Sequence, residues 1–305
     1  MLSLAVMANA ALPSPPRLIR AGRALCSAAA TRRRILLDDA DVSDWETVID
    51  TLTPLARPER MRRLHEVLSK RRGKLHVVLE NVADPFNVAA VLRTAEGLGV
   101  QHVHVIESVH SVMHAPATTE RVPRASKGAL GNVAMGASRW LSVSKYQSSA
   151  ACCAHLREHD VHIFASDCAP VMDELDSTAG TPERWRDQRH SPFDAVQIDE
   201  LDFEASAAGG GAALIFGNER RGVSRSFIER ADRSFYLPMC GLTQSFNISV
   251  AVAMSLYHAV ASGAFPEGTL PEAERAQLLG RWLMRDVKAA RQVLLQAANL
   301  EFTDF

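Results

Sequence analysis

The stretch Leu75-His76-Val77-Val78-Leu79-Glu80-Asn81-Val82-Ala83-Asp84-Pro85-Phe86-Asn87-Val88-Ala89-Ala90-Val91-Leu92-Arg93-Thr94-Ala95 decides the fold. Residues 75–80 are a short apolar run, read as a strand. The Asp84-Pro85 pair turns the chain, and Asn87 is read as an N-cap. Residues 87–98 then carry Val88, Val91, Leu92 and Ala95 on one helical face. A second strand follows at 103–106. Further along, 161–165, 212–216 and 234–237 read as strands, and 149–159, 245–262 and 271–298 as helices. Strands separated by helix-length segments predict an α/β domain with a mainly parallel sheet.

Composition agrees. The 305 residues are 47% apolar and 23% charged, with a formal net charge of −1. That is ordinary for a globular protein and excludes wholesale disorder. No apolar stretch reaches the ~18–20 residues of a membrane-spanning helix. The five cysteines (Cys26, Cys152, Cys153, Cys168 and Cys240) form no C-x-x-C pair and read as buried or half-buried free thiols.

The near-zero net charge hides an asymmetry. Before Asp38 there are six arginines and no acidic residue. A basic, acid-free, Ala/Ser-containing N-terminus has the composition of an organellar transit peptide, here residues 1–37, with mitochondrion or plastid as the destination; the alternative is a disordered basic tail on a cytoplasmic protein. Residues 38–56 are acidic and read as a linker or an isolated helix. A helix is expected at 58–72, with Met61, Leu64, Val67 and Leu68 on one face. Between 57 and 74 there are eight basic residues against two acidic ones. A one-sign excess this dense points to an anionic partner. Residues 173–211 turn polar and Pro/Gly-containing and are expected to be an insertion loop.

Generic enzyme signatures are scarce. Neither nucleotide-binding glycine fingerprint is present. His155-Leu156-Arg157-Glu158-His159 matches the inverted zinc-protease pattern, but no downstream carboxylate helix offers a third ligand. Arg93 has two readings. It is a cation facing an anion in a cleft, or a surface arginine whose stem lies on the apolar face.

Three stretches carry a resemblance. Asn81…Asp84-Pro85-x-Asn87…Arg93-Thr94-Ala95…Gly99, then Phe216-Gly217-x-Glu219-x-x-Gly222, then Leu237-Pro238-Met239-x-Gly241-x-x-x-Ser245-x-Asn247-x-Ser249 follow one another in the chain. In that order they resemble the three motifs of the SpoU/TrmH branch of the SPOUT methyltransferases. Phe246 replaces the Leu usual in the third motif, and Arg220 a Gly common in other branches. The resemblance implies a methyltransferase domain at 57–262 with a trefoil knot toward its carboxyl end, a C-terminal helical extension at 263–305 and a homodimer. It implies S-adenosylmethionine as cofactor, held around Ile215, Phe216, Gly217, Leu237, Met239, Gly241, Ser245 and Asn247. It implies RNA 2′-O-methylation, with D-loop guanosine of tRNA first and ribosomal RNA as the alternative, and no metal or membrane.

Arg93 is then the main catalytic residue, completed by Asn87, Glu219 and Asn247. A guanidinium stays protonated in proteins. Its expected role is therefore to anchor an RNA phosphate and stabilise a developing alkoxide. Arg60, Arg63, Arg71 and Arg72 are the expected contacts to the RNA backbone. The competing reading is an RNA-binding module without catalysis. Intact Arg93, Glu219 and Asn247 argue against it.

Overall fold

The computed structural model describes residues 44–107, 136–167, 195–243 and 245–297. The expected transit peptide lies outside them, as does the expected insertion up to residue 194. The described chain runs α1 (Trp45–Leu52), α2 (Pro58–Ser69), β1 (Arg72–Glu80), α3 (Pro85–Gly97), β2 (Val100–Ile106), β3 (Ser142–Tyr146), α4 (Ser149–Glu158) and β4 (Val161–Ser166). It continues through β5 (Val196–Gln197), α5 (Phe203–Ala208), β6 (Gly211–Phe216), α6 (Arg225–Ile228), β7 (Arg233–Tyr236), α7 (Ile248–Ala261), α8 (Glu272–Asp286) and α9 (Ala290–Ala297). Among the described residues, no helix is long and apolar enough to cross a membrane.

Residues 66–271 form one compact unit. Its seven strands lie in the order β3-β2-β1-β6-β4-β7-β5, and each pairing is parallel. A parallel sheet needs both faces covered, and the period of two along β1 shows how this is done. Leu75, Val77 and Leu79 pack with Val88, Val91 and Leu92 of α3 and with Val252 and Leu256 of α7. Val78 packs on the other face with Cys152 and Leu156 of α4 and Phe227 of α6. β1 and β6 are neighbours in the middle of the sheet. Their carboxyl ends therefore open side by side, where open α/β sheets bind ligands.

The α4 face of the sheet also holds histidines. Register pairs His76 with His102, and their rings stack at 4.6 Å. His76 Nδ1 lies 3.0 Å from His104 Nε2, and His104 Nδ1 lies 3.1 Å from the Tyr146 hydroxyl. Burial, followed by neighbouring histidines, pushes His102 down to about 4 and His104 to about 3, with His76 also well below its usual value. These groups are neutral when folded and protonated near pH 6.5 when unfolded. The unfolded state therefore binds more protons below that pH, and stability falls as pH drops from about 6.5 toward 4. Melting curves from pH 7 to 4 should show this loss. A His104→Gln variant should show a shallower one, and parallel curves would contradict the account.

The second unit holds the residues on either side, up to 65 and from 272. Of the two readings of 38–56, linker or isolated helix, the described part is a helix, α1, and it is not isolated. Asp44 caps α1 by accepting the Thr47 N–H at 3.1 Å, and α1 packs against α8 and α9. Trp45 lies so close to Gly280 that a Cβ there would come within 2.5 Å of its ring. The single helix expected at 271–298 is instead two. Ala289 adopts φ +59 between α8 and α9. The expected insertion also ends earlier than 211, because β5 and α5 occupy part of it. Strands β3 and β5 were not expected.

Candidate functional site

The site is assembled where β1, β6 and β7 end. The Asp84 side chain accepts the Phe86 N–H at 2.8 Å, and Pro85 opens α3. Asp84 is therefore the N-cap, and the expectation for Asn87 is corrected. Asn87 lies in the first turn, which frees its side chain to reach across the site. Its Nδ2 donates to Glu219 Oε1 at 3.0 Å, and its Oδ1 accepts from Asn247 Nδ2 at 3.2 Å. Glu219 Oε2 also accepts the Ala83 N–H at 3.1 Å. Asn247 caps α7 by accepting from Ser249 N at 2.9 Å and Ser249 Oγ at 2.6 Å. Three residues from three separated stretches thus form one chain of hydrogen bonds.

Burial would raise the Glu219 carboxyl, but donation from Asn87 and from backbone N–H groups outweighs it and holds Glu219 below the usual carboxylate range. Glu219 is thus ionised at neutral pH, tying the loop after β6 to the start of α3. That loop is closed on itself by reciprocal bonds between Asn218 and Gly222, of 3.0 and 2.7 Å. The Asn218 side chain donates to Asn81 O at 2.8 Å. A Cβ at Gly217 would lie 2.1 Å from the carbonyl of Gly222 and from Val223 N, so glycine is required here.

Sequence reading missed Glu80 and Ser224. The Glu80 carboxylate is 2% exposed at the end of β1. It accepts from the Ser224 N–H at 2.7 Å, from Ser224 Oγ at 2.6 Å and from Ser149 Oγ. It anchors the far end of the loop that carries Glu219. A polar residue closing an apolar run gave no local sign of this, because Ser224 lies far along the chain.

The expected cofactor-binding residues line this region unevenly. Ile215, Phe216 and Gly217 are buried, Leu237 and Met239 are half-buried, and Gly241 and Ser245 are exposed. Among the described residues, no backbone–backbone hydrogen bond uses the main chain from Met239 to Leu242. Main-chain donors and acceptors with no backbone partner among the described residues fit a cofactor with an adenine, a ribose and an amino acid to grip. A Cβ at Gly241 would meet only Thr243 Oγ1, at 4.0 Å, so nothing in the protein itself forces glycine there. Cys240 is exposed, not buried as expected, while Cys152 and Cys153 are buried.

Arg93 sits on α3, six residues beyond Asn87 and about 9 Å further along the axis. It is exposed, and α3 packs against α7. The expected RNA arginines separate into two groups. Arg71 is 1% exposed and ion-paired with Glu96 at 3.1 Å. Arg72 donates to Leu98 O at 3.2 Å and to Phe265 O. Both are committed inside the fold, so the expectation that they meet RNA phosphates is corrected. Arg60 is half-exposed and pairs with Asp286 at 3.0 Å, while Arg63 is exposed, as is Arg62, which was not among the expected contacts.

Asn247→Ala removes both the cap of α7 and the link to Asn87. It should cost about 1 kcal/mol of stability and weaken S-adenosylhomocysteine binding. Calorimetric titration checks this, and unchanged affinity would remove Asn247 from the cofactor site.

Comparison with known proteins bears on the same region. The sequence model of the SpoU rRNA methylase family matches residues 74–257. The tRNA (guanosine(18)-2′-O)-methyltransferase of Escherichia coli (strain K12) is 27% identical over 228 residues, which are 73% of this chain and 81% of the relative. The Aquifex aeolicus protein of the same name is 25% identical over 248 residues, 80% of this chain and 98% of the relative. The 23S rRNA (guanosine-2′-O-)-methyltransferase RlmB of Acinetobacter baylyi is 26% identical over 196 residues, 64% of this chain and 63% of the relative. The crystal structure of A. aeolicus TrmH/SpoU tRNA modifying enzyme superposes with a TM-score of 0.53 at 24% identity. The match covers 75% of this chain and 98% of that one, which shows a shared fold.

Proposed function

The chain belongs to the SpoU rRNA methylase family, and from that premise we propose that it methylates RNA at a ribose 2′-oxygen, with S-adenosylmethionine as methyl donor and tRNA as substrate. The observation that carries this reading is the hydrogen-bonded chain Glu219–Asn87–Asn247, which draws the three motifs together at the strand ends. The relatives named for guanosine 18 of tRNA support a D-loop guanosine as the target. The relative named for 23S rRNA keeps ribosomal RNA as the second reading.

When bound, the cofactor supplies a methyl group made electrophilic by its sulfonium. The protein's own contribution is alignment and charge. The main chain at 239–242 and the turn at Gly217 would hold the cofactor. Glu219 and Asn247 fix the Asn87 amide between them. The Arg93 guanidinium holds a phosphate beside the target ribose and stabilises charge on the 2′-oxygen as its proton leaves to solvent. Substrate choice is tested by incubating the protein with tRNA and rRNA transcripts and mapping 2′-O-methyl groups. The tRNA D-loop should be modified, and modification of rRNA alone would establish the second reading.

A second copy of the chain completes the proposal. Val250, Met254 and Tyr257 are exposed along α7 at spacings of four and three, with Phe86 exposed at the start of α3. An apolar stripe on one helical face supports homodimerisation. A knotted carboxyl end and organellar import through residues 1–37 belong to the same proposal, the latter on composition alone. The RNA footprint centres on Arg62 and Arg63. Their joint change to Gln should flatten the slope of log binding constant against log salt by roughly one unit for each phosphate no longer neutralised. Arg71→Gln should instead lower the melting temperature and leave the slope alone. The reverse pattern would mean that the exposed basic face does not bind the RNA.

A further inference from the structure

The H-x-x-E-H stretch that failed as a protease signature is a geometric cluster. His155, Glu158 and His159 offer ligand atoms that all lie within 4.8 Å of one another. They fall on one face of α4 and its C-cap, because i, i+3 and i+4 share a face. His159 Nδ1 lies 2.8 Å from His155 O and donates to it. With Nδ1 committed to that bond, Nε2 is the ring nitrogen left to ligate, an arrangement metal-ligating histidines favour. His155 is held from behind by the rings of Tyr146 and His104, each 5.8 Å away.

Charge around the cluster is also permissive. Arg157 points to the other side of the helix, where it pairs with Asp232 at 2.8 Å and donates to Arg230 O. The carboxyl end of α4 carries the negative pole of the helix dipole, which favours a cation. Two imidazoles and one carboxylate are a donor set that zinc accepts. A tetrahedral zinc with bonds of ~2.0–2.1 Å needs ligand atoms about 3.3 Å apart. The 4.8 Å spread must therefore contract, and the exposed Glu158 carboxylate is the ligand with room to move while His159 keeps its bond to His155 O.

We propose that His155, Glu158 and His159 form a zinc site on the surface of α4, separate from the methyl-transfer site. Three protein ligands leave a fourth position open to water.

The test is a zinc titration of the full chain against a chromophoric chelator, in a Cys240→Ser background that removes the thiol exposed among the described residues. One zinc should bind per chain. Affinity should fall about tenfold or more in His155→Ala and in His159→Ala, with metal-free melting curves unchanged. X-ray absorption should show nitrogen and oxygen neighbours only. Absence of stoichiometric binding, equal affinity in both variants, or a sulfur shell near ~2.3 Å would each overturn the proposal.

Discussion

Arg93→Lys should lose about 10²–10³ in turnover while cofactor affinity stays within a few-fold of wild type. Lysine keeps the positive charge but not the planar fork of five donors that can hold a phosphate and an alkoxide together. The side chain is exposed on α3 and outside the apolar cluster beneath it. The substitution should therefore leave the fold intact, and a melting curve checks this. Single-turnover rates with saturating cofactor separate chemistry from binding. Wild-type rates in Arg93→Lys would remove Arg93 from the reaction and revive its reading as a surface arginine lying on an apolar face.

Gly217→Ala should abolish cofactor binding in a folded protein. The added Cβ would sit 2.1 Å from the backbone of Gly222 and from Val223 N. Backbone cannot swing away as a flexible side chain can. The reciprocal bonds between Asn218 and Gly222 must therefore open, and Glu219 moves with them. Overpacking of this kind costs about 1–3 kcal/mol, and Glu219 then loses its place beside Asn87. Glu80 still holds Ser224 at the far end of the loop, so the damage should stay local. Calorimetry with S-adenosylhomocysteine should find no binding. Wild-type affinity would mean that this turn is not part of the cofactor site.

The sheet is legible in the sequence where strands are buried on both faces. β6 is a continuous apolar run, β1, β2 and β4 hold apolar runs broken by a histidine, and the expected strands fall within a few residues of their observed limits. β3 is not legible, because Ser142–Tyr146 sits at the sheet edge and alternates half-exposed with exposed residues, without an apolar run. β5 has only two residues, too short for any periodicity. The break between α8 and α9 falls at Ala289, where neither Gly nor Pro announces a positive φ.

The site is legible in its identities and not in its connections. Asn87, Glu219 and Asn247 stand out through their motifs. Which atom bonds which depends on three strand ends meeting in space. The true cap of α3 does carry a local sign, since Asp followed by Pro is the usual cap-and-first-residue pair at a helix start. Arg71 shows the opposite limit. Its neighbours Lys70 and Arg72 are basic too, and Lys70 is exposed, yet the chain turns into β1 at that point and buries Arg71 against Glu96. Nothing in the local charge pattern distinguishes it from Arg62 or Arg63.

The central claim is methyl transfer to a ribose 2′-oxygen. Purified protein should be incubated with an unmodified tRNA transcript and S-adenosylmethionine carrying a labelled methyl group. The RNA is then cleaved with alkali, which cannot cut beside a 2′-O-methylated ribose. The account predicts label in an alkali-resistant dinucleotide, dependent on Arg93. Label in alkali-labile mononucleotides, which means base methylation, or no label in tRNA or rRNA with folded, cofactor-bound protein, would contradict it.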